Sequence, residues 1–399
     1  VGNSLPEIGT ISAQNGYQVV YSGVLNVIPA DLVITANNSS SVYGQAATLN
    51  GYTVNGLVNG DTVNGVDVST TANAQSNVGN YTVTASDAVG TGLSNYNISY
   101  TNGTLSVTPA SLVITANDAS SVYGTTPTLN GYSTSGLVNG DAVTGADIST
   151  TANSSSNVGS YAITASGAVG TGLSNYNISY TNGTLSVTPA DLTIAANNSS
   201  SVYGTTPALN GYTTSGLVNG DTVSGADVST TATSASGVGN YAITASGAVG
   251  TGLSNYNISY TNGVLNVTPA SLVVTANDAS AVYGQTPTLN SYTTSGLVNG
   301  DTVSGADVST TASSSSNVGS YAITASNAVG SGLSNYSISY NNGTLNITPA
   351  DLVVTANDAS AVYGQTPTLN GYSVSGLVNG DTVTNADVVT TANLALIPI

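Results

Sequence analysis

The sequence contains no Lys, Arg, His, Cys, Met, Trp or Phe, and each absence removes a class of chemistry. Without His or Cys there is no conventional zinc, haem or iron–sulfur site, no cysteine nucleophile and no disulfide. A Ser-His-Asp triad lacks its base. No cation is present to hold a transferred phosphate, which sets aside kinases and P-loop NTPases. Isopeptide self-locking fails for the same reason, because it needs a Lys amine. With a formal charge of −18, the chain offers nothing to neutralise nucleic-acid phosphates or anionic lipids. No apolar run approaches the length of a membrane span, so neither nucleic-acid binding nor membrane insertion is expected.

What remains is a 399-residue chain that is 40% hydrophobic. Val, Ile, Leu and Tyr carry most of that bulk, residue types that favour pleated, half-buried surfaces and that disordered chains lack. A folded, β-rich protein follows. The missing Lys and Arg also remove every trypsin site, which suits life outside the cell. A signal peptide needs a positive n-region, which is not seen, so the chain reads as a processed product or a piece of something longer.

An internal repeat decides the architecture. Tyr-Gly occurs at Tyr43-Gly44, Tyr123-Gly124, Tyr203-Gly204, Tyr283-Gly284 and Tyr363-Gly364, always 80 residues apart. GLVNGD recurs in the same register from Gly56, Gly136, Gly216, Gly296 and Gly376, and Pro29, Pro109, Pro189, Pro269 and Pro349 close successive units. The units run 31–110, 111–190, 191–270 and 271–350. Residues 1–30 match the back part of a unit and 351–399 the front part. No shorter period appears inside the 80, which favours discrete domains over a parallel β-helix. The Pro-Ala junctions leave no flexible Gly/Ser linker, the mark of a semi-rigid string.

Each unit reads as β throughout, with about six strands. Candidates are Leu32–Ala36, Tyr52–Val58, Val66–Thr71, Tyr81–Ala85, Tyr96–Tyr100 and Leu105–Val107. Asn59-Gly60 tolerates positive φ at both positions and predicts a tight hairpin, and Asn102-Gly103 predicts another turn. The five tyrosines of a unit (Tyr43, Tyr52, Tyr81, Tyr96, Tyr100) are expected to fill much of the core. The alternative is a tyrosine platform that stacks on sugar rings.

Taken together, ITAND(A/N)S, VYG(T/Q)(T/A)P, SGLVNGD, SNVG(S/N)YAITASG and SNYNISYTNGTLSVTPA resemble the MBG/YDG-type tandem repeats of large bacterial surface proteins, such as filamentous-haemagglutinin-like adhesins. The resemblance spans essentially the whole chain. It implies secretion to the cell surface, a small β-grasp-like or immunoglobulin-like module of about 80 residues, and a stalk or adhesive role without catalysis. Family repeats often carry a Lys near the Tyr-Gly turn, which this chain lacks.

Candidate sites are few. Asp61 and Asp67, repeated as Asp141 and Asp147 in the next unit, could supply two carboxylates to calcium, or serve as ordinary turn residues after Asn-Gly. Five copies of one catalytic site in identical small domains make no sense for an enzyme. Asn-x-Ser/Thr sequons such as Asn97-Ile98-Ser99 and Asn102-Gly103-Thr104 are abundant, and glycans would suit a surface fibre. The flanking parts, 1–30 and 351–399, sum to one residue short of a unit. They predict subunits that join head to tail, one copy donating strands through Tyr17, Val19, Tyr21, Leu25 and Val27 to residues 351–399 of the next. Leu394, Leu396 and Ile397 belong to the same expected interface. Surface glycans and neighbouring cells are the other expected partners.

Overall fold

A computed structural model of the chain describes residues 23–392, with the backbone of Asn3 and Ser4. It divides into two compact units, Val1–Ala190 with Val218–Gly220 and Ser254–Asn257, and Asp191–Leu217 with Asp221–Leu253 and Ile258–Ile399.

The first repeat has seven strands: β1 (Ala30–Ala36), β2 (Ser39–Val42), β3 (Tyr52–Asn55), β4 (Val63–Thr70), β5 (Gly79–Gly90), β6 (Tyr96–Thr101) and β7 (Gly103–Thr108). They form a three-stranded sheet, β3-β1-β6, and a four-stranded sheet, β2-β7-β5-β4. β1 is antiparallel to β3 but parallel to β6, and β2 is parallel to β7. The complete repeats that follow carry the same two sheets. The helical segment of the first repeat is one 3-10 turn before β6, Leu93–Asn95, and each complete repeat that follows has its counterpart. The module is therefore a two-sheet sandwich.

Period-two alternation builds the core. In β1, Leu32, Ile34 and Ala36 point inward; in β5, Val83 and Ala85; in β7, Leu105 and Val107. Leu32, Ile34, Val83 and Leu105 are completely buried. Both bounding strands of the four-stranded sheet are blunted, β2 by its length and β4 by register shifts around Gly65, devices that discourage edge pairing.

Three local expectations are corrected. The run Ser39–Val42, absent from the six candidates, is a seventh strand, because it pairs with β7 while buried Ser39 accepts the Asn50 N–H at 2.9 Å. Asn59 and Gly60 do take φ of 56° and 78°, closed by the Asp61 N–H on the Val58 carbonyl. The flanking strands, however, lie in different sheets, so the turn makes no hairpin. Asn102-Gly103 does not reverse the chain; it carries β6 across into β7 of the other sheet.

The tyrosine core is corrected too. Aliphatic side chains fill the interior, and of the five tyrosines only Tyr43 and Tyr96 are buried. Tyr100 is 40% exposed, its hydroxyl accepting the Ala88 N–H at 3.0 Å.

Among residues 351–392, Val353–Ala356 pairs with Tyr372–Ser375 and no third strand joins them. Leu352 and Val354, whose counterparts Leu32 and Ile34 are fully buried, are 48% and 44% exposed.

Candidate functional site at the repeat junction

The two buried tyrosines lead to the site. Tyr43 sits in the turn after β2, which the Gln45 N–H closes on the Val42 carbonyl. The Tyr43 N–H bonds the carbonyl of Thr108, the last residue of β7, at 2.9 Å. This ties the Tyr-Gly loop to the strand by which the chain leaves the repeat. From there Tyr43 reaches the second repeat. Its hydroxyl donates to Asp141 Oδ2 at 2.9 Å, and its ring meets Tyr176 edge to face, with centroids 5.5 Å apart at 82°.

Within the second repeat, Tyr176 already donates to the same carboxylate oxygen at 2.9 Å and accepts the Val138 N–H at 2.9 Å. The equivalent pair in the first repeat, Tyr96 on Asp61, has the same 2.9 Å bond. The first and second repeats thus each carry a prebuilt socket, the Val-Asn-Gly-Asp turn latched to the first tyrosine of β6 or its equivalent. The Tyr-Gly loop of the preceding repeat is the plug. Gly44 has φ of 85°, and a Cβ there would lie 2.5 Å from a Val138 methyl, so glycine alone allows the loop to seat.

A second set of contacts flanks the plug. Asn139 Nδ2 donates to the Ala74 carbonyl at 2.9 Å, which also accepts the Gly44 N–H. Buried Asn175 accepts the Val78 N–H at 2.9 Å and donates to Asn77 Oδ1 at 3.0 Å. Four hydrogen bonds therefore cross between the first and second repeats.

The second unit repeats the arrangement between Tyr203, Asp301 and Tyr336. The two hydroxyls lie 2.8 and 2.9 Å from Asp301 Oδ2, and the rings are 5.5 Å apart at 85°. Asn299 bonds the Ser234 carbonyl and Asn335 takes the Val238 N–H. Position 77 is Gly237 in this repeat, so the amide–amide bond of Asn77 has no counterpart here. Burial holds the Tyr176 and Tyr336 protons above the usual tyrosine value of 10.0, and the adjacent carboxylates Asp141 and Asp301 push the same way. Their backbone hydrogen bonds at Val138 and Val298 pull in the opposite direction.

The residues singled out from sequence fall into three groups. Asp61 and Asp141 are engaged by tyrosine hydroxyls at the socket. Asp67 and Asp147 lie inside β4 and its equivalent, exposed and facing Ser86 and Ser166 across the ladder. The two acidic positions of a unit are not gathered, and no group of three or more potential metal ligands occurs among the described residues. Leu25 and Val27 are about half exposed, and Leu25 pairs by its backbone with Ser4. Tyr17, Val19, Tyr21, Leu394, Leu396 and Ile397 lie outside the described residues. Of the sequon asparagines, Asn102 is exposed and Asn97 donates to Asp31 at 3.3 Å.

Sequence reasoning missed Asn77, Val78, Asn139 and Asn175. The available signal was the fixed register of Tyr-Gly and GLVNGD, which places Tyr43 and Asp141 98 residues apart in every pair of neighbours.

A family model described as MBG domain (YGX type) matches residues 32–106, 112–186, 192–266, 272–346 and 352–395. No curated protein matches the chain. Among solved structures the chain is similar to Drosophila N-cadherin EC1-4, at 8% identity over 68% of this chain and 83% of that one, with a TM-score of 0.18. It is similar to the protocadherin gamma B4 extracellular domain at 9% identity, over 82% and 67% of the two chains, with a TM-score of 0.21. For domains 1–6 of the surface layer protein SbsC the identity is 14%, the coverage 90% and 67%, and the TM-score 0.18.

Proposed function

The chain belongs to the family of MBG domains of the YGX type, and we propose that it is a non-enzymatic extracellular repeat array serving as a bacterial surface fibre or adhesin stalk. One observation carries this reading. The residues that recur most regularly, Tyr-Gly and the GLVNGD aspartate, join the first repeat to the second and the third to the fourth. A protein whose signature residues form joints is organised to project and hold position. The absence of every cation and sulfur nucleophile from the sequence supports the same reading.

The test is to delete one 80-residue unit in frame, residues 111–190, and to label intact cells with antibody against the remaining repeats. A stalk stays at the surface, projects a shorter distance and keeps the attachment of its host cell. Loss of attachment in proportion to repeats removed would instead mean that the repeats themselves bind carbohydrate or a host ligand. The half-exposed ring of Tyr100, recurring as Tyr180, Tyr260 and Tyr340, is the observation behind that second reading.

A finer reading joins copies head to tail. In this reading residues 16–29 of one copy, which share the alternation of β6 and β7, lie against residues 351–392 of another. Sedimentation at rising concentration tests this reading. Polymers that disappear in Leu25→Asp and Val27→Asp support it, and a monomer at all concentrations sinks it.

A further inference from the structure

We infer that each repeat is a mechanical clamp, built to resist tension applied along the chain. This deepens the array reading and rests on it. The first and last strands of a repeat run parallel and side by side in both sheets. In the first repeat β1 pairs with β6 at six positions, Ala30 to Thr35 against Tyr96 to Thr101. β2 then pairs with β7 at four more, Ser39 to Val42 against Leu105 to Thr108. The second and fourth repeats have the same two parallel ladders.

Parallel pairing of the strands by which the chain enters and leaves fixes how force is felt. Tension pulls β1 and β2 toward the N-terminus and β6 and β7 toward the C-terminus. The paired strands, β1 with β6 and β2 with β7, are therefore drawn past each other along their length, and the evenly spaced bonds of each parallel ladder are loaded together. In an antiparallel hairpin pulled from its open end, the bonds break one after another, each carrying the whole force alone. The difference is one of geometry and needs no unusual bond strength.

Two details continue the clamp where the chain changes sheets. At the crossing, the Thr104 N–H donates to Asn38 Oδ1 at 2.8 Å, so a side chain replaces the ladder bond lost between β1 and β2. Asp118 does the same for Thr184, and Asp278 for Thr344, both at 2.7 Å. At the exit, Thr108 Oγ1 donates to the Ser41 carbonyl. Only Pro109 separates β7 from the first strand of the next repeat, Ala110–Ala116. Force leaving one clamp passes into the next with one residue of slack, and proline fixes the φ of that residue.

The experiment is single-molecule pulling on the full chain, which has no native cysteine to confuse the attachment of handles. Pulled from its ends, the chain should give equal unfolding events, each releasing about 260–290 Å of contour for 80 residues. The second arm moves the handles within the second repeat by Thr144→Cys and Thr171→Cys, two exposed positions at the same end of the antiparallel pair Ala142–Thr150 and Gly159–Thr171. That pull peels the repeat open and should need several-fold less force. The third arm is Asp118→Ala pulled end to end. One event should shift to lower force while the events of the unaltered repeats stay in place as an internal control. Equal forces in the end-to-end and peeling directions would overturn the clamp, whatever cell-surface labelling shows. Failure of surface labelling would instead remove the array reading and leave the force anisotropy standing.

Discussion

Replacing Tyr43 by Phe deletes one oxygen and leaves the ring against Tyr176, so it isolates the bond to Asp141. A double-mutant cycle with Asp141→Asn in urea unfolding should give an interaction energy of about 0.5–1.5 kcal/mol. A value of zero would mean that the ring contact and the flanking amide bonds hold the plug without this bond. The raised values of Tyr176 and Tyr336 set an alkaline limit as well. Each is protonated more firmly in the folded state than in the unfolded one. The stability they contribute is therefore complete below about pH 10 and is lost as the pH climbs through their folded values. Site-resolved NMR titration should show the Tyr176 midpoint falling in Asp141→Asn, because a negative neighbour is gone, while the contribution of burial remains. A natural variant sits at position 237, where glycine replaces the asparagine of Asn77. Gly237→Asn should restore the bond to Asn335 and stabilise that junction by about 0.5–1.5 kcal/mol. The converse change, Asn77→Gly, should cost a similar amount at the first junction.

At the scale of the strand, burial separates positions that look alike in sequence. Leu105 is completely buried and Val89 is 61% exposed. Leu105→Ala should cost about 2–5 kcal/mol, and Val89→Thr less than about 0.5 kcal/mol, both read from urea midpoints. Strand content was legible wherever alternation was strong, as in Tyr81-Thr82-Val83-Thr84-Ala85 and around Leu105 and Val107. It was not legible in Ser39–Val42, where three serines in a row resemble a turn and only the pairing with β7 makes a strand. The Asn59-Gly60 turn shows the same limit. Its dihedral angles follow from the two residue types, but which strands it connects depends on partners far along the chain. The tyrosines were misjudged for a related reason. Their size marks them for burial, yet Tyr43 and Tyr96 are buried at the ends of the repeat, and a single unit read alone shows no neighbour.

For the molecule as a whole, all 18 formal charges have one sign. No ion pair exists to be screened, and added salt can only weaken repulsion among carboxylates. The thermal midpoint should therefore rise with ionic strength, with most of the change complete by about 0.1 M, where the Debye length is about 10 Å. A midpoint that falls with sodium chloride would contradict a purely repulsive surface. Because the stability of a repeat array is a sum of repeats and of the interfaces between neighbours, substitutions at Tyr43 or Asp141 should also reduce cooperativity. Leu105→Ala should mainly lower the stability of its own repeat. Comparing calorimetric and van't Hoff enthalpies for the two kinds of variant distinguishes them.

The plug at one end of a repeat and the socket at the other have a genetic consequence. Any gain or loss of 240 nucleotides, three for each of the 80 residues between Tyr43 and Tyr123, brings a Tyr-Gly loop opposite a Val-Asn-Gly-Asp turn once more. Unequal recombination among such similar units therefore creates longer and shorter alleles without creating an unmatched joint. Length becomes a trait that can vary between generations while each new joint still sets a Tyr-Gly loop against a Val-Asn-Gly-Asp turn. Sequencing the locus across isolates should show copy number changing in whole units, with breakpoints free to fall anywhere in the repeat.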